Sequence, residues 1–225
     1  MCSERSTEYI TPKVKKYSTD NTTMKQWQVN IPEGTSGAWT IQKFTVSATD
    51  AKFESMRAAF NGGRGVPEGS YTRLTYRDNV IMSDTPDEMR DHLTAIYEAH
   101  RRGGNILVNG LGLGMVAQAM LEKNNVETVT VIELSSDVIS LVAPHLDKRI
   151  TVINADAYTW TPPKGAKYTV AWHDIWPDLC TDNLEEMSKL HRKYGRRCGW
   201  QGSWGKELLQ YHKRREQKRE NRWGW

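Results

Sequence analysis

Three features of the chain predict an α/β fold built on a mostly parallel sheet. Asn105–Leu134, NILVNGLGLGMVAQAMLEKNNVETVTVIEL, reads as an apolar strand, a glycine-rich turn, a helix and a second apolar strand ending in a carboxylate. Strand and helix signals then keep alternating as far as Trp172, at lengths that favour right-handed crossovers between parallel strands. Finally, Asn109, Glu133, Asp156 and Asp174 fall at the carboxyl ends of four strands, the edge at which such sheets bind ligands.

The elements follow in chain order. Residues 1–36 form a polar segment without periodicity, expected to be partly disordered, with a short strand near Trp27–Val29. Residues 37–84 form a small β-rich region. Ala38–Val46 alternates as a strand, Thr49–Phe60 reads as a short helix stopped by Asn61-Gly62-Gly63, and Tyr71–Arg77 and Val80–Met82 flank an Asp78-Asn79 hairpin turn. Residues 85–180 form the ligand-binding domain. Thr85-Pro86-Asp87-Glu88 is a capping box that opens a helix to about Arg102, with Gly103-Gly104 as its stop. Core strands are expected at Asn105–Asn109, Thr128–Leu134, Arg149–Asn154 and Tyr168–Trp172, and Ser136 is positioned to cap a helix ending before Pro144. No fifth strand is evident. Asn183–Tyr194 and Ser203–Arg222 read as helices, so residues 181–225 are expected to form Trp-rich basic helices. The sheet is then either truncated or completed by strands from the N-terminal half.

Composition narrows the class. At 225 residues the chain is one domain of ordinary size, and a mean hydropathy of −0.68 requires a very polar surface. No apolar run approaches membrane-spanning length, and the N-terminus lacks a secretory pattern. Cys2, Cys180 and Cys198 are odd in number and lack metal-ligand spacing, which suits a reducing cytoplasm. The net charge of +4 is concentrated in His212–Arg222, HKRREQKRENR; elsewhere charge is balanced. A generally basic nucleic-acid surface is therefore not indicated, although the tail leaves RNA or DNA contact open beside a solvated helix face.

Gly110, Gly112 and Gly114 alternate strictly, whereas a dinucleotide fingerprint places its third glycine one residue later. The tighter spacing is typical of sites for the methionine end and ribose of S-adenosylmethionine (SAM), which has no pyrophosphate to cradle. Glycines permit positive φ and close approach of a ligand. Glu133, closing the next strand, can accept both hydroxyls of a ribose, with Leu134 beside it. Asp156 and Ala157 fall where an adenine-side contact is expected, or where a plain turn caps the next segment.

These residues resemble class I SAM-dependent methyltransferases, with spermidine synthase and its methyltransferase-like relatives as the nearest branch. The resemblance covers roughly Gly69 to Asp178. Gly69–His92 is similar to the hairpin and gatekeeping segment of aminopropyltransferases, NGLGLG to their glycine motif, VIEL to their ribose acid, NADAY to the acid beside the adenine, and HDIWPD to the segment holding their catalytic aspartate. The whole pattern also resembles small methyltransferase-like proteins of bacteriophages. It implies a Rossmann-like fold, SAM as cofactor and transfer to an acceptor that the resemblance leaves unassigned. Leu113 stands where aminopropyltransferases carry an aspartate, the second acid after strand four is out of register at Asp178, and Asn109 replaces an acid common before the first glycine. Neither an Asn-Pro-Pro-Tyr motif nor a Pro-Cys nucleophile is present, which disfavours the DNA-base routes that use them.

At the acceptor end Asp174 can serve as a base for an amine or hydroxyl, or else cap a helix or pair with basic residues. His173 can relay protons or simply pack among tryptophans. Trp176, with Trp172, Trp200 and Trp204, can line a wall for a cationic or planar acceptor or fill the core. His92 and Asp84 lie on the segment expected to cover the pocket. Methyl transfer is the leading reading. Aminopropyl transfer, SAM breakdown and a non-catalytic binding module using the basic tail are its alternatives. The acceptor is open between a small molecule and a macromolecule, and self-association is left open.

Overall fold

The computed structural model describes residues 27–61 and 65–223, which form two sheets. The first is an antiparallel meander in the order β1 (Gly34–Ser36), β2 (Trp39–Val46), β3 (Gly69–Tyr76) and β4 (Asn79–Ser83). Helix α1 (Ala48–Asn61) lies between β2 and β3 in the chain. The β3–β4 turn is Arg77-Asp78, one residue before the expected position. Both residues have positive φ, the geometry whose twist matches a two-residue hairpin, and Asn79 joins the ladder opposite Tyr76.

Helix α2 (Pro86–Arg102) starts as its capping box predicts, with the Thr85 side chain accepting from the Glu88 N–H. The second sheet follows, built from β5 (Gly104–Asn109), α3 (Met115–Met120), β6 (Val126–Glu133), α4 (Ser136–Val142), β7 (Ile150–Asn154), β8 (Tyr168–His173), α5 (Asn183–Tyr194), β9 (Cys198–Ser203) and α6 (Lys206–Trp223). Its order is β7-β6-β5-β8-β9 and every neighbouring pair is parallel. The order reverses at β5, which makes the carboxyl ends of β5 and β8 the switch point of a Rossmann-like sheet.

The fold class predicted from sequence holds, with corrections. A fifth parallel strand exists: β9 pairs with β8, Trp200 opposite Val170 and Ser203 opposite His173. Its sequence, CGWQGS, contains two glycines and no alternation, so it carries no strand signal. Gly202 has a packing reason, since a Cβ there would lie 2.6 Å from the Trp200 ring and 2.9 Å from Trp172. The N-terminal strands do not complete the parallel sheet; they form the separate meander. Helix α6 begins at Lys206, not Ser203, and Ser135, not Ser136, caps α4 by accepting from the Val138 N–H. Trp27–Val29 is not a strand, and the reading of residues 1–26 lies outside the described residues.

Ile106, Val108, Val129 and Val131 are buried in one core cluster that also takes in Ile41 and Leu74 of the meander. Leu107, Ile132 and Ala171 belong to the other, with Met187, Leu190 and Tyr194 of α5 and Leu209 of α6. Burial on both faces is why the β5 and β8 runs read as nearly continuous apolar stretches. Among the described residues no helix is long and apolar enough to cross a membrane.

Candidate active site

A cavity of about 550 Å³ opens at the carboxyl ends of β5, β6 and β8, where residues of the meander also line it. That size is typical of small-ligand sites. Its floor includes Gly110, Leu111 and Gly112. Gly110, Gly112 and Gly114 all have positive φ, at 100°, 51° and 73°. A Cβ on Gly110 would lie 1.9 Å from the Asp174 carbonyl oxygen, and one on Gly112 would lie 2.0 Å from Met82 Sδ. Met82, from β4, also accepts a hydrogen bond from the Leu113 N–H at 3.1 Å. The meander is thus pinned directly to the glycine turn. Gly114 caps α3 from the left-handed region and lies outside the cavity wall. Helix α3 is under two turns long, so backbone shape in this loop matters more than a helix dipole.

Glu133, Leu134, Asp156 and Ala157 all line the cavity, as expected from the sequence. Glu133 accepts from the Leu111 N–H through Oε2 at 2.9 Å and from the Ser135 N–H through Oε1 at 2.8 Å. Each carboxylate oxygen keeps a further lone pair for a ligand hydroxyl. Asp156 Oδ1 accepts from the Tyr158 N–H at 2.7 Å, which closes the turn after β7. Leu134 is a rim residue, 73 % exposed, and Ala157 is buried.

The opposite end of the cavity carries Glu88, His92 and Asp174 among Tyr76, Trp172, Trp176 and Trp204. Desolvation, together with the negative charge of Asp91, pushes Asp174 up to about 7. Its side chain is 24 % exposed, facing the cavity. Desolvation also raises Glu88 to about 7, against the lowering effect of hydrogen bonds to Ser83. Glu88 Oε2 accepts from the Ser83 N–H at 2.6 Å and from its hydroxyl at 2.7 Å. Burial lowers His92 to about 4, so its imidazole is neutral. His92 Nδ1 lies 3.8 Å from Asp174 Oδ2, too far for a hydrogen bond, and is buried without a partner. A ligand ammonium placed between these two atoms would have an N–H to donate to each. The Trp172 ring meets His92 edge-on at 5.9 Å, and Trp176 is anchored through its indole N–H to Glu186 at 2.7 Å.

Besides Gly114, three expected site residues do not reach the cavity. Asn109 and His173 are both wholly buried and absent from its wall. They belong to a polar network behind it. Asn109 Nδ2 lies 2.7 Å from His173 Nδ1, and His173 Nε2 lies 3.3 Å from Gln201 Oε1. An amide N–H can only donate, so His173 carries its proton on Nε2. Gln201 in turn donates to the His191 carbonyl, which ties β9 to α5. Desolvation holds His173 near 3, so it stays neutral and structural. Asp84 is the third. Its Oδ1 accepts from the Thr72 N–H at 2.6 Å and its Oδ2 from the Val29 N–H at 3.1 Å. Asp84→Ala would strip two buried N–H groups of a charged acceptor. We expect a loss of about 2–3 kcal/mol in urea unfolding with no change in ligand affinity.

Sequence reasoning missed Met82 and Glu88. Each had a sufficient local explanation, as a hairpin residue and as a capping-box acid, and only the folded chain turns them toward the cavity.

No family model matches the chain. It is similar to the polyamine aminopropyltransferase of Leptospira interrogans serogroup Icterohaemorrhagiae serovar copenhageni, at 31 % identity over 115 residues, covering 45 % of this chain and 23 % of that protein. It is similar to the polyamine aminopropyltransferase of Oceanobacillus iheyensis at 26 % identity over 151 residues, covering 56 % and 28 %. The chain spans about a quarter of the length of these curated relatives. Solved structures similar to part of it include an S-adenosylmethionine dependent methyltransferase from Mesorhizobium loti, at 21 % identity and a TM-score of 0.37, covering 48 % of this chain and 49 % of that one. Another is the CcbJ methyltransferase from Streptomyces caelestis, at 17 % identity and a TM-score of 0.40, covering 51 % and 47 %. The curated likeness is to aminopropyltransferases, and the structural neighbours are class I methyltransferases.

Proposed function

We propose that the protein is a SAM-dependent transferase that methylates a cationic amine. The observation that carries this reading is the charge of the cavity wall. Among the described residues it holds four carboxylates, Glu88, Glu133, Asp156 and Asp174, and neither lysine nor arginine. Such a wall favours a sulfonium donor and an ammonium acceptor and repels anions.

The residues present fit the donor. Glu133 would accept the ribose hydroxyls, Asp156 and Ala157 would flank the adenine, and Gly110–Gly112 would leave room for the methionine end. Bound there, SAM supplies an electrophilic methyl group. The chain's own contribution is positioning and proton removal. Asp174 takes a proton from the ammonium, freeing the nitrogen lone pair. That pair would be aligned for the methyl carbon that bound SAM would supply, with the thioether sulfur as leaving group. His92 Nδ1 can hold a second N–H of the acceptor, and the tryptophan faces suit a cationic head.

Aminopropyl transfer from decarboxylated SAM is the second reading. The similarity to aminopropyltransferases supports it, as does the lack, among the described residues, of any wall cation to meet a donor carboxylate. Against it, Leu113 is wholly buried and presents no acid.

Calorimetry with SAM and with decarboxylated SAM tests both readings. We expect SAM to bind, and Glu133→Gln to weaken it about tenfold or more, the worth of a charge-assisted hydrogen bond. Clear preference for the decarboxylated donor would select the second reading. Failure of both donors to bind, or a Glu133→Gln variant that binds like wild type, would remove the proposal.

A further inference from the structure

A second chamber of about 400 Å³ adjoins the first, and Trp172 and Trp204 line both. It is bounded by α2, by β9 and by the first turn of α6. Its wall differs from that of the main cavity in holding two cations, Lys206 and Arg90, beside two carboxylates, Asp91 and Glu207.

Lys206 is the informative group. It is partly buried, and desolvation pulls its ammonium below the usual lysine range. Its Nζ lies 3.1 Å from His191 Nδ1. An ammonium only donates, so this nitrogen accepts and the His191 proton sits on Nε2, facing Ser203 Oγ at 2.9 Å. Burial holds His191 near 4, so it is neutral and offers Lys206 no counter-charge. Among the described residues no carboxylate forms an ion pair with Lys206. A partly desolvated ammonium with no direct ion-pair partner, set in a chamber wall, can take an oxyanion as its counter-ion. Two further donors belong to residues that line the same chamber. The Trp172 indole N–H is buried without an acceptor, and the first turn of α6 presents N–H groups that the helix itself cannot satisfy.

We infer that this chamber binds a compact oxyanion, a carboxylate or phosphate, carried by the acceptor. The acceptor would place its amine at Asp174 in the first cavity and its anionic end at Lys206 in the second, across the shared tryptophans. That the oxyanion belongs to the acceptor rests on the transfer reading above; anion binding at Lys206 does not.

The test begins with inorganic phosphate and the full chain in a calorimeter, without donor. Wild type is expected to bind, Lys206→Met to bind about tenfold more weakly or worse, and Lys206→Arg to retain binding, with SAM affinity unaltered in both variants. Trp172→Phe keeps the ring and deletes the orphan donor. It is expected to weaken phosphate as well, and it decides the matter if Lys206→Met does not fold. A ladder of ω-amino carboxylates, each beside its plain alkylamine and plain carboxylate, then identifies the source. If the oxyanion is part of the acceptor, amino carboxylates of one length displace phosphate best and lose that advantage in Asp174→Asn. Plain carboxylates that compete equally well, indifferent to Asp174→Asn, would mean a free anion and overturn the link to the acceptor. No phosphate binding by wild type, or equal binding by folded wild type and Lys206→Met, would overturn the site itself.

Discussion

Gly110→Ala is expected to destabilise the protein by about 3–5 kcal/mol, against about 1–2 kcal/mol for Gly165→Ala. The two glycines share a positive φ, 100° and 82°, so both alanines carry backbone strain. They differ in surroundings. Nothing lies within 4 Å of a Cβ at Gly165, whereas a Cβ at Gly110 would sit 1.9 Å from the Asp174 carbonyl oxygen. That carbonyl cannot retreat freely. The Asp174 N–H is bonded to the Asn109 carbonyl at 2.8 Å, and the Gly110 N–H to the Ile132 carbonyl at 2.8 Å, so three strand ends are fastened together there. Paired urea titrations give the comparison. Equal losses at the two positions would mean that the packing at the carboxyl ends of β5 and β8 is looser than these distances require.

Asp174→Asn is expected to slow transfer by about a hundredfold or more while leaving donor affinity nearly unchanged, because a neutral amide keeps the shape of the wall but cannot take a proton. The pH profile makes the test sharper. A carboxyl raised to about 7 is protonated below that pH and available as a base above it, so the wild-type rate should climb from pH 6 to 8 and the residual Asn rate should not follow. A cationic ligand favours the ionised forms of Asp174 and Glu88, so binding should release protons and tighten over the same interval. The sign for the unliganded fold is the reverse. Carboxyls with raised pKa favour the folded chain at low pH, and that contribution fades as pH rises through about 7. An Asn variant within a few-fold of wild type at pH 8 would exclude Asp174 as the base.

The nucleotide half of this molecule was legible because its signals are local. A strand, a glycine turn and a closing acid fall within thirty residues, and Gly110, Glu133 and Asp156 land on the cavity as their spacing implies. What sequence could not resolve lies in contacts made across long separations. Asp84 looks like a site acid until Val29 and Thr72 are seen to share it. His173 beside Asp174 looks like a catalytic pair, yet adjacent residues on a strand face opposite ways, and only one of the two reaches the cavity. Strand β9 has no periodic pattern, and its partner β8 lies beyond an intervening helix. Lys206 lies outside the basic run of residues 212–222 and carries no sequence signal of its own, until its first-turn position sets it against a neutral histidine.

The sulfur of Met82 resting on the Leu113 N–H has a consequence for how the molecule breathes. The meander and the parallel sheet share no strand, and contacts across the cavity, the core behind it and a hydrogen bond from the Ser36 hydroxyl to Asp137 join them. A ligand held between the two acts as a cross-brace. Occupied, the halves open and melt as one cooperative unit. Empty, the two halves lose that brace and keep the core around Ile41 and Leu74 and the Met82 link to hold them together.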